Sequence, residues 1–382
     1  MGSKTIYLNN ATTGFPKPNE VVRAVTGRLR SVPIQQARTG FDSFDEDIFS
    51  QCRSRLARLI GADDPRRIVF TSGATESLNL AIFGLALEGK HVVATAAEHN
   101  SVLRPLMTLK RDGKIALSIA ECDGTGTVSP ESIQDVLRSD TALVVVNHCS
   151  NVTGAVNDVK AVGRLLRERD IPLVVDAAQS AGVVPINVEA MNIDFLAFTG
   201  HKSLHGLPGI GGAYVREGLR LRPLKVGGTG IRSDYPFQPE EMPLFYEAGT
   251  QNTPGVVSLE AGLRFIESRG MDEIRAHKRR CCRRLREALR DDPSIRFHPA
   301  APADGSAIVS FNIEGMDPGD VGYILENSFG ISVRCGLHCA PLIHRYLGTF
   351  PRGSVRVSPS FDTTDEEIDA CADAVRHISG AL

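Results

Sequence analysis

Between residues 65 and 215 the chain repeats a single pattern: a short β-branched apolar run, then a longer segment with helical spacing. The runs are Arg67–Phe70, His91–Ala94, Ile115–Ile119, Leu143–Val146, Leu173–Val175, Phe195–Phe198 and Gly212–Val215, with helical stretches such as Glu76–Leu87 and Lys160–Arg169 between them. Strand-helix alternation of this kind predicts an α/β fold with a mostly parallel seven-stranded sheet and helices on both faces. Ligands bind such sheets at the carboxyl ends of the strands. The residues that follow each run are therefore the ones to inspect for chemistry.

The pattern changes near Pro254. Two long helical stretches follow (Val256–Arg269 and Asp272–Arg290), then strands at Ala307–Asn312 and Ser354–Ser358, and a closing helix from Thr364. A chain of 382 residues exceeds what one compact core accommodates. The expected division is a large domain over 15–255 and a smaller α+β domain over 256–382, with residues 1–14 packing on the latter. A formal charge of -2 gives no reason to expect nucleic acid as a partner. The longest apolar runs are strand-sized and too short for a membrane span. The amino terminus, MGSKTIYLNN, lacks the apolar stretch of a signal peptide, and Ile6 stands where a myristoylation motif needs Ser or Thr. The expected location is cytoplasmic. The eight cysteines do not form the framework of a small secreted domain and read as reduced packing residues, one excepted. The basic run Lys278–Arg286 reads as a solvated helix face.

Two strand ends carry an informative pair. "IPLVVDAAQS" ends its apolar run in Asp176, and "DFLAFTGHKSLHG" ends in Thr199, Gly200, His201 and Lys202. A buried carboxylate needs a cationic partner. A desolvated lysine has a lowered pKa and becomes a nucleophilic amine. Pyridoxal phosphate requires both: the amine holds its aldehyde as an imine, and the carboxylate keeps its pyridine nitrogen protonated. The bland alternative is a structural ion pair. A phosphate site is the third requirement. "TSGATESLN" leads small and hydroxyl residues into a helix, whose amino terminus offers free N–H groups near Ala74 and Thr75. A simple helix cap by Ser72 or Thr75 is the plainer reading of that segment. His99 and Asn151 close two further strands, and an imidazole such as His99 can stack on a pyridine ring. Gln179 could donate a hydrogen bond to the cofactor's phenolic oxygen.

Together "ATES", "EHN", "SNVTG", "VVDAAQS" and "TGHKSLHG" resemble, in order and spacing, the class V aminotransferase-fold enzymes, and most nearly their cysteine desulfurase and selenocysteine lyase branch. The likeness runs from "YLNNATTGFPKP" to "VRVSPSFDTTDEEID". It implies the fold type I architecture of pyridoxal-phosphate transferases. It also implies Lys202 as Schiff-base lysine, Asp176 as pyridinium partner and His99 as ring-stacking and catalytic histidine. Gln179 and Asn151 fall around the cofactor oxygen and substrate carboxylate, and Ala74, Thr75, Thr199 and His201 around the phosphate. Thr250, in "YEAGTQNTPG", matches a threonine that reaches the neighbouring subunit's phosphate, which implies a homodimer with shared active sites.

The stretch "SVRCGLHCAPLIHRYLG" resembles the short-loop desulfurase type, whose nucleophilic cysteine Cys339 matches. Arg356, in "SVRVSPS", matches the arginine that grips the substrate carboxylate, a role suited to a guanidinium. The implied reaction converts L-cysteine to L-alanine and leaves sulfur on Cys339 as a persulfide, for a possible sulfur-acceptor protein. His338 is a neighbour that could activate the thiol. Leu337 stands where close relatives often have a polar residue. Cys335 reads as packing, the alternative being that it resolves the persulfide. The spacing of Cys335, His338, Cys339 and His344 fits no zinc pattern, and no metal site is expected. Selenocysteine lyase activity, another class V reaction that needs no nucleophilic cysteine, and a non-catalytic sulfur-transfer scaffold remain as alternatives.

Overall fold

The computed structural model describes residues 5–31, 47–299, 305 and 307–381. After β1 (Ile6–Tyr7), α1 (Asn19–Leu29) and α2 (Ile48–Ile60), the alternation begins with β2 (Ile68–Thr71), α3 (Ala74–Gly84), β3 (Lys90–Thr95) and α4 (Asn100–Arg111). It continues through β4 (Ile115–Ala120), α5 (Pro130–Gln134), β5 (Thr141–Asn147) and α6 (Val159–Arg167) to β6 (Leu173–Asp176), β7 (Phe195–Thr199) and β8 (Gly211–Val215). These strands form one seven-stranded sheet in the order β2-β8-β7-β6-β5-β3-β4. Strands β3 to β7 run parallel to one another, while β8 is antiparallel to both β7 and β2.

Side chains alternate across a strand, so a sheet covered on both faces needs apolar residues at every position. Val144, Val146, Val175, Leu196 and Phe198 point into one core. Their neighbours Leu143, Val145, Val174, Phe195 and Ala197 point into the other. Both faces are thus buried, and the polar residues are displaced to the strand ends. Glycine is required where β8 meets the β2–α3 turn: a Cβ on Gly211 would lie 2.5 Å from the Gly73 Cα.

The rest of the chain starts with α7 (Thr253–Arg269) and α8 (Met271–Leu289), followed by β9 (Ile295–His298), β10 (Val309–Ile313), α9 (Pro318–Phe329) and β11 (Ile331–Ser332). It ends with β12 (Arg334–Gly336), α10 (Ile343–Tyr346), β13 (Ser354–Val357) and α11 (Asp365–Ser379). An antiparallel sheet β12-β13-β10-β9 packs with α8, α9 and α11 around a third core that includes Phe311, Leu325 and Val375. The amino-terminal segment joins this core: β1 pairs with β11, and Leu8 is buried in it. Thr364 caps α11 in a reciprocal box with Glu367 (3.2 and 3.1 Å), a device that contributes about 1 kcal/mol.

Three sequence expectations are modified. Helix α3 starts two residues before Glu76 and stops at Gly84, where the carbonyl accepts from Arg222 N at 2.8 Å. The strand at Val309–Ile313 is shifted from the expected Ala307–Asn312. The basic run is not uniformly solvated: Arg280, Arg283 and Arg284 are exposed, but Lys278 and Arg286 turn inward, and the Arg286 guanidinium lies over the Phe297 ring at 4.5 Å and donates to Pro299 O at 2.6 Å.

Candidate active site

A cavity of about 310 Å³ opens at the carboxyl ends of β2, β3, β5, β6 and β7. Ala74, Thr75, His99, Asn151, Asp176, Gln179, Thr199, His201 and Lys202 all border it. Its upper rim is the amino terminus of α3, which receives no side-chain cap. The cap reading of Ser72 or Thr75 therefore does not hold; Thr75 Oγ1 instead meets Ser101 Oγ at 2.7 Å. Uncapped N–H groups, the positive end of the helix and these hydroxyls suit a phosphate. Glu76 in the same turn is neutralised by Lys225 at 2.7 Å and accepts from Ser72 N at 2.7 Å.

Asp176 closes β6 almost fully buried, and Oδ1 accepts from Ala178 N at 2.9 Å. Burial raises its pKa, opposed by that hydrogen bond and by Lys202. Lys202 follows β7 on a turn. Desolvation lowers its ammonium pKa to about 8; Asp176 works against this shift, and Arg356 and Arg334 add to it. The amine is thus accessible near neutral pH. His99 is the N-cap of α4, its Nδ1 accepting from Ser101 N at 3.0 Å. Burial, then Lys202 and Arg334, lower its pKa to about 4, which keeps the ring neutral. Gln179 Nε2 donates to Ala11 O at 2.9 Å. His201 Nδ1 and Asn151 Oδ1 are buried with no hydrogen-bond partner. Unsatisfied polar atoms around an uncapped helix end are consistent with a polar, phosphate-bearing guest. The donor set fits pyridoxal phosphate: phosphate at α3, ring nitrogen at Asp176, aldehyde at Lys202.

A second group approaches from the antiparallel sheet. Arg356 on β13 is fully buried, and Arg334 on β12 is its direct register partner. Arg356 Nη1 donates to Asn151 O (2.8 Å), and Nη2 donates to Thr12 Oγ1 (2.9 Å) and Asn9 Oδ1 (3.3 Å). Its Nε has no partner. Desolvation, then Arg334, lower its pKa to about 9. Two adjacent guanidiniums with no carboxylate partner among the described residues constitute an anion site.

Cys339 sits in the turn after β12, next to these cations. His338 and Cys339 both have positive φ (50° and 61°), an unfavourable conformation for two residues with side chains. Three hydrogen bonds hold the turn: Asn151 Nδ2 donates to His338 O (2.7 Å), Asn100 N to Cys339 O (2.7 Å), and Ala340 N to Leu337 O (2.9 Å). Arg334 Nη2 donates to Cys339 Sγ at 3.0 Å. The sequence pointed to His338 as the thiol's neighbour; its ring instead turns to Ser354 Oγ at 3.2 Å, and burial keeps it neutral. Arg334 supplies the cation, a contact set by the register of β12 on β13, which cannot be read from either strand alone.

Cys335 faces the opposite way. A Cβ on Gly322 of α9 would lie 2.4 Å from its Sγ, the thiol belongs to the third core, and burial raises its pKa to about 11. This placement favours the packing reading over a resolving thiol. Thr250 is exposed and does not border the cavity. Asn147, Ser101 and Thr12 do border it without having been singled out in the sequence.

The comparisons with known proteins match this geometry. A family model described as aminotransferase class-V matches residues 6–371. The chain belongs to this family. A probable cysteine desulfurase from Methanothermobacter thermautotrophicus is 33% identical over 98% of this chain and 95% of its own length. The apo structure of a cysteine desulfurase from Thermococcus onnurineus NA1 superposes with a TM-score of 0.90 at 32% identity, covering 99% of this chain and 95% of that one. A structure of the cysteine desulfurase CsdA (S-sulfonic acid) from Escherichia coli does so at 0.88 and 26%, with 99% and 95% covered. The class-V assignment accounts for the mostly parallel sheet and its helices. No helix among the described residues is long and apolar enough to cross a membrane.

Proposed function

We propose that this chain is a pyridoxal-phosphate-dependent cysteine desulfurase that converts L-cysteine to L-alanine and keeps the sulfur on Cys339. The single observation that carries the proposal is the contact between Arg334 and Cys339. Arg334 borders the same cavity as Lys202 and Asp176 while donating to the Cys339 sulfur. One guanidinium thus links the Cys339 sulfur to the cavity that holds Lys202 and Asp176, as transfer of a substrate's sulfur to that thiol requires.

Pyridoxal phosphate bound in the cavity supplies an electron-withdrawing ring that stabilises negative charge at the substrate Cα. The α3 amino terminus, Thr75, Thr199 and His201 would hold the phosphate, and Gln179 would donate to the phenolic oxygen. Asp176 would retain a proton at the ring nitrogen, and His99, a neutral imidazole bordering the cavity, would lie against the ring. Arg356, with Arg334 and Asn151, grips the substrate carboxylate. Lys202 Nζ, deprotonated in a useful fraction near its pKa of about 8, accepts the Cα proton. Cys339 Sγ, as thiolate, attacks the substrate sulfur; the substrate C–S bond breaks with its electron pair going to Cβ, Cβ takes up a proton, Lys202 returns its proton to Cα, alanine leaves, and the transferred sulfur stays on Cys339 as a persulfide. A soluble acceptor or an acceptor protein then takes that sulfur.

We also read the chain as a cytoplasmic homodimer. The segment before Thr250 exposes Val226, Tyr235 and Phe237, an apolar surface consistent with a second copy that receives Thr250 at its phosphate. L-selenocysteine presents the same carboxylate and Cα proton, so relative rates on the two amino acids define the preference.

The test is a turnover assay with L-cysteine and a reductant. Alanine and sulfide should appear in equal amounts and vanish in Cys339→Ser, while the cofactor's visible absorbance persists in the variant. Alanine production at the wild-type rate by Cys339→Ser would overturn the proposal.

A further inference from the structure

One buried acid takes no part in the chemistry described so far. Glu98, the residue before His99, is completely buried. Its Oε1 accepts from Thr95 Oγ1 at 2.6 Å and from Asn147 N at 2.7 Å. Its Oε2 is buried with no partner, and so is Oδ1 of Asn147. Asn147 closes β5, is in register with Asp176 on β6, and borders the cavity. No cation pairs with Glu98 among the described residues, and the ionisable group it feels is another acid, Asp176.

A buried carboxylate with no counter-charge, facing a second carboxylate, is resolved by keeping one proton. Two neighbouring acceptors that both lack a donor are resolved in the same way. We propose that Glu98 is a neutral carboxylic acid in the working protein and donates its Oε2 proton to Asn147 Oδ1, acting as a positioning residue for the cavity floor. This donation fixes the Asn147 amide with its NH₂ toward the cavity. It also leaves Asp176, among the described residues, as the anion of the floor, matched to a single ring-nitrogen cation. Burial raises the Glu98 pKa to about 8, in agreement with this arrangement.

The inference deepens the reading of the cavity given above and rests on it for its consequence, but not for its test. The alternative arrangement is an ionised Glu98 with the Asn147 amide turned to donate to it, since the two ends of an amide are interchangeable by a flip. Infrared spectroscopy of the full-length protein as isolated separates the two at neutral pH. The carbonyl stretch of a protonated carboxylic acid should be present, lost in Glu98→Gln, kept in Asp176→Asn, and moved to higher frequency in Asn147→Leu. Glu98→Gln preserves all three hydrogen bonds and should bind pyridoxal phosphate within about twofold of wild type, whereas Glu98→Leu should weaken binding about tenfold or more. Absence of the band, or its loss in Asp176→Asn with retention in Glu98→Gln, overturns the assignment. Should Glu98→Gln not fold, the wild-type band must disappear as the pH is raised through 8, and Asp176→Asn must still show a band at neutral pH and lose it no later than wild type; persistence well above that pH is equally fatal. None of these infrared outcomes depends on sulfur transfer, so failure here and failure of the desulfurase reading are distinguishable.

Discussion

Replacing Arg356 with methionine isolates the substrate-binding term from the rest of the site. The guanidinium is fully buried, donates to Asn151 O, Thr12 Oγ1 and Asn9 Oδ1, and has no carboxylate of its own. Those neutral acceptors compensate its desolvation only in part, and no charge balances it among the described residues until an anion arrives. Truncating one partner of a buried, hydrogen-bonded charge pair costs about 2–5 kcal/mol, which corresponds to a loss of about 30-fold to several thousand-fold in kcat/KM for L-cysteine. Cysteamine, which lacks the carboxylate, should be turned over slowly by both proteins and should change by less than about threefold. Stability should behave differently from activity. Removing a buried cation that repels Arg334 gains what exposing the Asn151 carbonyl loses, so Tm should move by only a few degrees. Steady-state alanine formation on the two substrates and a thermal melt complete the assay. An equal loss on cysteamine, or a collapse of stability that accounts for the activity, would refute the carboxylate role.

Other outcomes follow from the same geometry. Cys335→Ala should leave the rate and the lifetime of protein-bound sulfur unchanged, because that thiol packs against α9; a lengthened lifetime measured by mass spectrometry, as loss of a resolving thiol would give, would contradict this. Arg334→Leu should slow alkylation of Cys339 by iodoacetamide at neutral pH several-fold, since the hydrogen bond donated to Sγ is gone; unchanged kinetics would show that this contact does not act on the sulfur. Uptake of pyridoxal phosphate by cofactor-free protein should accelerate about tenfold per pH unit up to about 8 and then level off, as Lys202 loses its proton. Stopped-flow absorbance reads that profile. For Glu98 the sign is fixed by linkage. Its folded pKa is raised from 4.5 to about 8, so its stabilisation is full below pH 4.5 and is lost progressively up to about pH 8. The Tm of Glu98→Gln relative to wild type should therefore rise across that window and be flat outside it; a constant difference would contradict the raised pKa.

What could be read in the sequence, and what could not, divides along physical lines. Asp176 and Lys202 stand out because each ends a run of residues that must be buried, where a charge needs a reason to exist. The sheet is legible for the same cause: both its faces are covered, so its strands read as unbroken apolar runs. Strand direction is not encoded in hydropathy, and the antiparallel course of β8 became apparent only from its pairing. The contact between Arg334 and Cys339 depends on two things a linear pattern does not carry, the register of β12 on β13 and a turn of two left-handed residues that are not glycine. His338 was the natural neighbour in sequence and is the wrong one in space. Cys335, four residues from Cys339, proved to lie on the other face of its strand, as alternation along β12 requires. Glu98 is the most hidden case. Its neighbours in the chain gave no hint that a glutamate would be enclosed among Thr95, Asn147 and Asp176.

The central claim is that sulfur from L-cysteine comes to rest on one thiol. Full-length protein exposed to L-cysteine carrying a heavy sulfur isotope, then digested without reductant, gives the direct answer by peptide mass spectrometry. The account predicts one heavy sulfur atom added to the peptide that contains Cys339, and none on the peptides bearing the other cysteines outside it. Labelled sulfur on another cysteine, or alanine formed while Cys339 stays unmodified throughout, would contradict it.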